Sequence, residues 1–307
     1  MALKKTKEQE EIVNTYNKSI AEGIIDIEIT SCLCNSEEFV KIADFDRYGF
    51  WHPVSVCKNC GLMMYNPHPT AKSYKEFYES DTYRKVYDEG NFIEQAPDRF
   101  KNGQGEQIAD ALLPFIRERS LSSVLEIGCA GGWNLAHFSR EGYQVVGYDF
   151  GPGLVEFGKT QGLDLRLGSL QNVKGTYDVI LLNHVAEHFT DFLGNMQDLA
   201  KHLSPQGLIY VGVPNIDNYG WGQLQNAHVF YFSPRTFKHY MQACGFKIIE
   251  FGPDRKIHMY GIFEKNDEIE NSNALQEECD LILRKVRKGK IKDGILRVMK
   301  MLGLKKG

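Results

Sequence analysis

No stretch of this sequence is apolar for long enough to cross a bilayer. Its longest unbroken apolar runs, near 179–182 and 208–211, are far shorter than the roughly 20 residues that a transmembrane helix needs. The start, MALKKTKEQEEIVN, is charged where a secretory signal would become apolar. The 307 residues are 42% hydrophobic and 25% charged, a globular composition with room for two domains. We therefore expect a cytoplasmic globular protein.

A large net positive charge is found only at the C-terminus. The net charge is -4, but residues 281–307 hold ten Lys or Arg and one acid, so the remaining residues carry -13. A body this acidic is a poor partner for a phosphate backbone, which makes a nucleic-acid substrate unfavourable. The basic end could lie on an anionic membrane surface or on the acidic body, or form a solvated or oligomer-forming helix. Its apolar residues at near-helical spacing are Ile291, Ile295, Leu296, Met299 and Leu302.

Between residues 106 and 265, helical and strand patterns alternate as in a parallel sheet with crossover helices. The pattern predicts strands at 123–127, 145–148, 163–167, 177–182 and 208–213. A helix then begins at Ser233-Pro234, a capping hydroxyl followed by proline. Two further strands, 246–251 and 256–263, are close enough in sequence to pair antiparallel. The sequence predicts an α/β fold whose sheet ends in an antiparallel pair.

The flanking segments divide the chain into four predicted regions. Residues 1–66 contain four cysteines and short extended pieces, and residues 67–105 form an aromatic linker with a lid. Residues 106–265 form the α/β domain, and 266–307 form a basic tail with a helix near 274–288. In the lid, Tyr78 or Tyr83 could place a phenol in the site or pack in the core.

A strand leads through glycines into a helix at 124–134. Gly128 and Gly132 there allow a backbone to approach a ligand at a helix N-terminus, or simply make a tight turn. About twenty residues on, Asp149 ends the second strand, where a carboxylate can hold a ribose diol. The fingerprint of a nicotinamide-dinucleotide site needs glycines at a fixed spacing. The segment Gly128-Cys129-Ala130 does not keep that spacing. The pattern therefore indicates another adenosine-containing cofactor.

Over residues 106–265 the sequence resembles the class I S-adenosylmethionine-dependent methyltransferases. Glu126, Gly128 and Gly132 match the family's first motif, with Ala130 where glycine is usual, and Asp149 matches the acid on the ribose hydroxyls. The resemblance implies a Rossmann-like, seven-stranded sheet. It also implies S-adenosylmethionine as cofactor and S-adenosylhomocysteine as product.

The same resemblance assigns two further segments to the cofactor. Ser169 and Leu170 fall where the family contacts the adenine. Asn183 and His184 lie at the end of the fourth strand, beside the methionine part of the cofactor. The segment 203–208, Leu-Ser-Pro-Gln-Gly-Leu, matches the family's turn before the fifth strand.

The spacing Cys32-x-Cys34 followed by Cys57-x-x-Cys60-Gly61 is typical of a zinc ribbon, although a small domain can also simply bury thiols. Seven cysteines, an odd number, favour ligation or burial over disulfides. The segment resembles the zinc-binding domain that precedes many sugar methyltransferases, whose second cysteine pair is followed by Asn-Pro-x-Pro. Ser31 stands where the first ligand is usual, so a shifted ligand, a water or an empty site remain open. Any zinc would be structural.

The loop before Ser233 contains a histidine in the segment Ala227-His228-Val229-Phe230-Tyr231-Phe232-Ser233. It resembles the His-x-x-Tyr-Phe-Ser segment of sugar C-methyltransferases, which implies that His228 is the general base. It could instead bond its own loop. Ala227 stands where those enzymes carry glutamate, which favours O-methylation over C-methylation.

A second cluster, His184, Glu187 and His188, follows the fourth strand. Its residues could take a proton, but at this position they more often shape the cofactor pocket or cap the next helix.

The sequence therefore predicts a methyltransferase acting on a nucleotide-linked or lipid-linked sugar, with the oligomeric state left open. Three alternatives remain: an RNA methyltransferase, methylation of another small molecule, and a non-catalytic cofactor-binding partner of another enzyme. The segment 32–60 carries four acids and three bases, so it offers no basic face for RNA.

Overall fold

The computed structural model describes residues 5–80, 82–87, 92–102, 105–218, 220–253, 257–266, 275 and 277–301. The N-terminal part consists of α1 (Lys7–Ala21), β1 (Ile27–Glu28), β2 (Phe39–Phe45), β3 (Trp51–Cys57), β4 (Met63–Tyr65) and β5 (His68–Pro69). Three helices follow: α2 (Ala71–Glu79), α3 (Thr82–Tyr87) and α4 (Phe92–Asn102). No sequence pattern indicated α1. Gly103 and Gln104, near the end of the predicted linker 67–105, lie outside the described residues.

The larger part of the chain alternates helices and strands as predicted. Its elements are α5 (Gly105–Glu118), β6 (Ser123–Ile127), α6 (Leu135–Arg140), β7 (Gln144–Asp149), α7 (Pro152–Thr160), β8 (Asp164–Leu167), β9 (Tyr177–Asn183), α8 (Phe192–His202), β10 (Leu203–Pro214), β11 (Phe230–Tyr231), α9 (Pro234–Ala243), β12 (Phe246–Pro253), β13 (His258–Lys265) and α10 (Glu278–Met301).

Seven strands form the main sheet in the order β12-β13-β10-β9-β6-β7-β8. Strands β8, β7, β6, β9 and β10 are parallel, and β13 pairs antiparallel with both β10 and β12. The central strands are apolar because helices cover both faces of the sheet, and the side chains of Val179 to Leu182 are fully buried. The predicted seven-stranded α/β sheet with a final antiparallel pair is confirmed.

A second sheet joins the N-terminal part to the loop after β10. Its order is β11-β4-β3-β2, so a strand from the loop after β10 completes a sheet made by the N-terminal part. Phe230 pairs with Met64 and Tyr231 pairs with Met63. The cysteine-containing part is therefore hydrogen-bonded to the loop that carries His228.

The first turns of α10 pack on this second sheet. Cys279, Ile282 and Val286 are buried in one apolar cluster with Val54 and Val56 of β3. The first turns of the basic tail therefore pack against the second sheet. The side chains of Ile291 and of all tail residues from 293 onward, which include the whole predicted apolar face, lie outside the described residues. Among the described helices, none combines the length and apolar character needed to cross a bilayer.

Glu278 fixes the start of α10 although no sequence motif indicated it. Its side chain is 1% exposed, it accepts a hydrogen bond from Ser233 Oγ at 2.6 Å, and it pairs with Arg235 at 3.1 Å. Since Ser233 also caps α9, this carboxylate joins the starts of two helices.

Candidate active site

The loop between β6 and α6 approaches its neighbours too closely for ordinary side chains. Gly128 has φ +70°, and a Cβ there would lie 2.4 Å from Val185 Cγ2. Gly132 has φ +79°, and a Cβ there would lie 2.5 Å from Leu163 Cδ1. The first glycine therefore keeps the backbone accessible beside β9, whereas the second allows the loop to pack on the β8 side.

A cavity of about 710 Å³ lies at the carboxyl ends of the central strands, where the strand order reverses at β6. This is the usual ligand position in open α/β sheets, and the volume suits a small-molecule ligand. Seven predicted cofactor residues line it: Gly128, Ala130, Asp149, Ser169, Leu170, Asn183 and His184. Glu126 and Gly132 are not in its wall: Glu126 lies behind the loop, and Gly132 belongs to the part of the loop that packs towards β8. The structure therefore brings most of the predicted cofactor residues to one cavity.

Asp149 is held firmly at the end of β7. Its Oδ2 accepts a hydrogen bond from the Ala130 amide at 2.9 Å, and its Oδ1 accepts one from the Gly151 amide at 2.7 Å. Arg84 of α3 pairs with the same carboxylate at 3.1 Å. The sequence analysis missed Arg84, because no motif surrounds it and it lies 65 residues before its partner.

Polar atoms in and behind the cavity fit a cofactor such as S-adenosylmethionine, which carries an amino group. Asn183 lines the cavity, and its Oδ1 is buried with no hydrogen-bond partner among the described residues. A buried acceptor without a partner costs free energy unless a ligand or water supplies a donor. The unpaired Asn183 acceptor therefore fits the amino group of the cofactor that the sequence predicts.

Glu126 lies behind the glycine loop and is nearly inaccessible. Its Oε1 accepts a hydrogen bond from Asn134 Nδ2 at 2.6 Å, and its Oε2 has no partner among the described residues. Burial raises the pKa of this carboxyl from 4.5 to about 8. The carboxyl is therefore largely protonated at neutral pH in the cofactor-free protein.

This raised pKa predicts that stability depends on pH. Between about pH 4.5 and 8 the folded protein keeps a proton that the unfolded chain releases, so the free energy of unfolding falls as pH rises through the folded pKa. At about 1.4 kcal/mol per pKa unit the loss reaches a few kcal/mol. We expect Glu126→Gln to remove this decline, as measured by urea unfolding without cofactor at pH 5.5 and pH 8.5. The exposed Glu118→Gln variant should decline as the wild type does; an equal decline in Glu126→Gln would contradict the assignment.

Three histidines surround one buried carboxylate near the cavity. The side chain of Glu187 is 1% exposed, and its Oε1 lies 3.4 Å from His184 Nδ1, 3.9 Å from His228 Nε2 and 4.0 Å from His188 Nε2. The His188 and His228 rings are perpendicular, with centroids 4.8 Å apart. The two clusters that the sequence presented separately are therefore one cluster.

The members of this cluster differ in their access to the cavity. His184 and His188 line it, whereas His228 and Glu187 lie behind the wall. The side chains of His184, His188 and His228 are 29%, 16% and 11% exposed. His184 also has φ +57°, a conformation that is costly for a residue with a side chain and is concentrated at functional sites.

Burial keeps two of the histidines neutral. It lowers the pKa of His188 and lowers the pKa of His228 well below its usual value. His188 Nδ1 lies 2.9 Å from the Ala227 carbonyl and 2.8 Å from the Tyr78 hydroxyl. His228 Nδ1 is buried with no partner among the described residues. A neutral imidazole has one bare nitrogen that can accept a hydrogen bond, but the lowered pKa makes both rings weaker bases than an exposed histidine.

The lid helices contribute aromatic and cationic side chains to the cavity. Tyr78 and Tyr83 both line it, and the Tyr78 ring stacks on Phe150 at 6.3 Å with an interplanar angle of 12°. Lys75, Arg84 and Arg99 are its cationic wall residues among the described side chains. The lid therefore offers a flat aromatic surface next to positive charge.

The four predicted metal ligands converge in the N-terminal part. The sulfur atoms of Cys32, Cys34, Cys57 and Cys60 all lie within 4.8 Å of one another. The separations are 3.4 Å for Cys32 and Cys60, and 3.6 Å for Cys34 and Cys57. These are far longer than a disulfide and close to the ~3.8 Å edge of a tetrahedron with zinc–sulfur bonds of ~2.3 Å.

Neighbouring groups also fit a zinc site. The thiols of Cys32 and Cys60, followed by the backbone amides of Cys60 and Asn59, lower the pKa of the Cys57 thiol. The Tyr240 hydroxyl of α9 donates a hydrogen bond to Cys60 Sγ at 3.0 Å. Because Cys32 rather than Ser31 joins the other three sulfurs, the shifted-ligand alternative for the first knuckle matches the geometry. The four residues would hold zinc as a structural ion, since they leave no position for a substrate.

Comparisons with known proteins agree with this fold. Residues 98–251 match the family model of a methyltransferase domain. The chain belongs to the methyltransferase-domain family. The predicted class I S-adenosylmethionine-dependent methyltransferase fold is confirmed, and the predicted enzyme class is the one for which this family is named.

Individual relatives of this methyltransferase are distant. The ubiquinone biosynthesis O-methyltransferase of Vibrio cholerae is 31% identical over 102 residues, which are 30% of this chain and 42% of that protein. The enzyme of the same name from Bartonella tribocorum is 31% identical over 121 residues, covering 36% of this chain and 47% of that protein. The chain thus spans less than half the length of these curated relatives.

A solved structure resembles a larger part of the methyltransferase. It is the 1,6-didemethyltoxoflavin-N1-methyltransferase of Burkholderia thailandensis with bound 1,6-didemethyltoxoflavin and S-adenosylhomocysteine. The TM-score is 0.51 and the identity 17%, over 67% of this chain and 96% of that chain. At this identity the likeness concerns the fold.

Proposed function

We propose that the protein transfers a methyl group from S-adenosylmethionine to a hydroxyl of a sugar that is attached to a nucleotide or lipid carrier. The observation that carries the proposal is the group of three histidines around Glu187 at the cofactor cavity. A sugar hydroxyl is a weak nucleophile, so its attack needs a base that removes the proton. The cofactor supplies an electrophilic methyl group, and the histidine cluster supplies the base.

Within the cluster, we assign to His184 the role of the base that removes the proton from the sugar hydroxyl. Its Nδ1 faces the Glu187 carboxylate at 3.4 Å and its side chain forms part of the cavity wall. A carboxylate on Nδ1 fixes the ring and the tautomer in which Nε2 is the basic atom, as in other carboxylate–histidine pairs. His228, which the sequence favoured, is 3.9 Å from the same carboxylate and is the second candidate for the base.

The lid supports a sugar acceptor on an anionic carrier. The stacked Tyr78 and Phe150 rings can pack against the apolar face of a sugar ring. Lys75 and Arg99 add positive charge for a carrier phosphate, whereas Arg84 is paired with Asp149. The preference for oxygen over carbon is supported by the distant relatives, which are named as O-methyltransferases.

The acceptor class can be tested by product analysis. The protein is incubated with S-adenosylmethionine and, separately, a nucleoside diphosphate sugar or a catechol, and the products are examined by mass spectrometry and NMR. We expect a gain of one methylene in the sugar and a methoxy signal. Methylation of the catechol alone would point to a phenolic small molecule, and a new carbon–methyl signal would point to C-methylation. Cofactor binding without any transfer would favour a non-catalytic partner.

A further inference from the structure

Asp46 is a buried carboxylate in the turn between β2 and β3, at the N-terminal side of the molecule. The residue is 1% exposed. Its Oδ1 accepts hydrogen bonds from the amides of Tyr48, Gly49 and Phe50 at 2.8, 2.8 and 3.0 Å. This oxygen and the backbone hydrogen bonds from Asp46 N to Phe50 O and from Gly49 N to Asp46 O together hold the turn.

The other oxygen of Asp46 binds a distant part of the chain. Oδ2 accepts a hydrogen bond from the backbone amide of Asn226 at 3.0 Å and one from the Tyr87 hydroxyl at 2.8 Å. The Tyr87 hydroxyl also lies 3.1 Å from the Asn226 amide. Asn226 is two residues before His228, so Asp46 contacts the loop that carries a histidine of the cluster.

Further contacts hold the same loop from the N-terminal side. Arg47 Nη2 donates to Gln225 Oε1 at 2.9 Å, and the Tyr74 hydroxyl donates to the Asn226 carbonyl at 3.0 Å. The amide of Tyr65 donates to the Val229 carbonyl at 2.8 Å. The N-terminal part therefore fixes residues 225–229 at both ends.

The loop in turn supports the turn that carries Glu187. The Val229 amide donates to the Glu187 carbonyl at 2.8 Å, and the Ala227 carbonyl contacts His188 Nδ1 at 2.9 Å. His228 Nε2 faces the Glu187 carboxylate at 3.9 Å. A displacement of this loop would therefore move two of the three histidines relative to the carboxylate.

We propose that Asp46 is a positioning residue for methyl transfer: its Oδ2 holds the Asn226 amide and thereby sets His228 and His188 against Glu187. The inference rests on the proposed function, because it takes that cluster as the source of the base. It gives the N-terminal part a role in the reaction although none of its strands reaches the cofactor cavity wall. Because the Val229 amide of the same loop also holds the Glu187 carbonyl, a shift of the loop moves the carboxylate that orients His184. Misplacement of a catalytic group by about 1 Å can cost about 100-fold in rate.

Asp46→Asn separates the two roles of the side chain. Asparagine keeps one oxygen for the three amides of the turn, whereas its NH₂ group cannot accept hydrogen bonds from Asn226 and Tyr87. Tyr87→Phe is a second variant, which removes the hydroxyl that touches both Asp46 and Asn226. The control is Asp44→Asn, because Asp44 lies two residues earlier, is 56% exposed and pairs only locally with Lys41.

The test combines amide hydrogen exchange of residues 225–229 with kinetics of the full-length protein. In Asp46→Asn we expect exchange in this segment to rise about 10- to 100-fold, because the backbone amide of Asn226 loses the Asp46 Oδ2 acceptor. We expect kcat to fall about 10- to 100-fold while KM for S-adenosylmethionine changes less than about threefold. Tyr87→Phe should change both quantities in the same direction, and Asp44→Asn should match the wild type.

Unchanged loop exchange in both variants would overturn the proposal, and so would faster exchange with an unchanged kcat. A wild type that methylates no sugar would instead overturn the proposed function. Asp46 is then judged on loop exchange and on the NMR signal of the His228 ring, which should shift in Asp46→Asn but not in Asp44→Asn.

Discussion

Replacing Glu187 with glutamine is expected to lower kcat for methyl transfer by about 10²- to 10⁴-fold. Glutamine can keep one oxygen towards the histidine nitrogens, but it carries no negative charge. The side chain could then no longer stabilise the charged form of His184 after proton transfer. The affinity for S-adenosylmethionine should change little, because Glu187 lies behind the cavity wall. Initial rates and calorimetry measure the two quantities.

The Glu187→Gln substitution should leave the folded structure intact. Glu187 has one buried oxygen without a partner among the described residues, and glutamine is nearly the same size, so the melting temperature should be maintained. Glu156→Gln on the exposed face of α7 is the matched control and should retain full activity. A kcat within threefold of the wild type in Glu187→Gln would remove the carboxylate from the mechanism. Comparing His184→Asn with His228→Asn then identifies the base, since the histidine that takes the proton should cause the larger loss of kcat.

Loss of a ligand from the cysteine cluster is expected to destabilise the whole molecule. Cys57→Ala should abolish stoichiometric zinc and lower the free energy of unfolding by about 3 kcal/mol or more. In a protein of this size that corresponds to a fall of about 6–12 °C in the melting temperature. The effect should extend beyond the N-terminal part, because Tyr240 of α9 donates to Cys60 and β4 pairs with β11. Elemental analysis and calorimetry measure metal content and stability.

Cys244→Ala is the control for this experiment. Cys244 is also buried, at the end of α9, but it lies outside the cluster. The control should bind as much zinc as the wild type and lose only the small contribution of one buried thiol. If the wild type purified with added zinc contains no metal, or if Cys57→Ala binds it equally well, the cluster is not a zinc site.

Sequence alone predicted the parts of the site that depend on local pattern. Gly128 and Asp149 sit at strand ends, and strand ends can be found from hydrophobic periodicity and turn residues. The sequence also identified Cys32, although the first knuckle departs from the usual spacing. These features need few contacts from distant parts of the chain.

The contacts that join distant parts of the chain could not be predicted in this way. Ala227 suggested that His228 lacks a carboxylate, but Glu187 of another element lies 3.9 Å from it. Ala227 therefore gives no physical reason to prefer O-methylation over C-methylation. Asp46 and Asn226 are 180 residues apart, and neither carries a motif. A single sequence contains no periodic signal for such pairs.

The pairing of β4 with β11 limits how this enzyme can be rebuilt. A chimera that exchanges only the cysteine-containing segment would place a foreign strand against Phe230 and Tyr231. An exchange that also carries the segment from the end of β10 to the start of α9 would keep both partners of that pairing together. Acceptor specificity among such enzymes should therefore be inherited as two separated stretches of chain that change together.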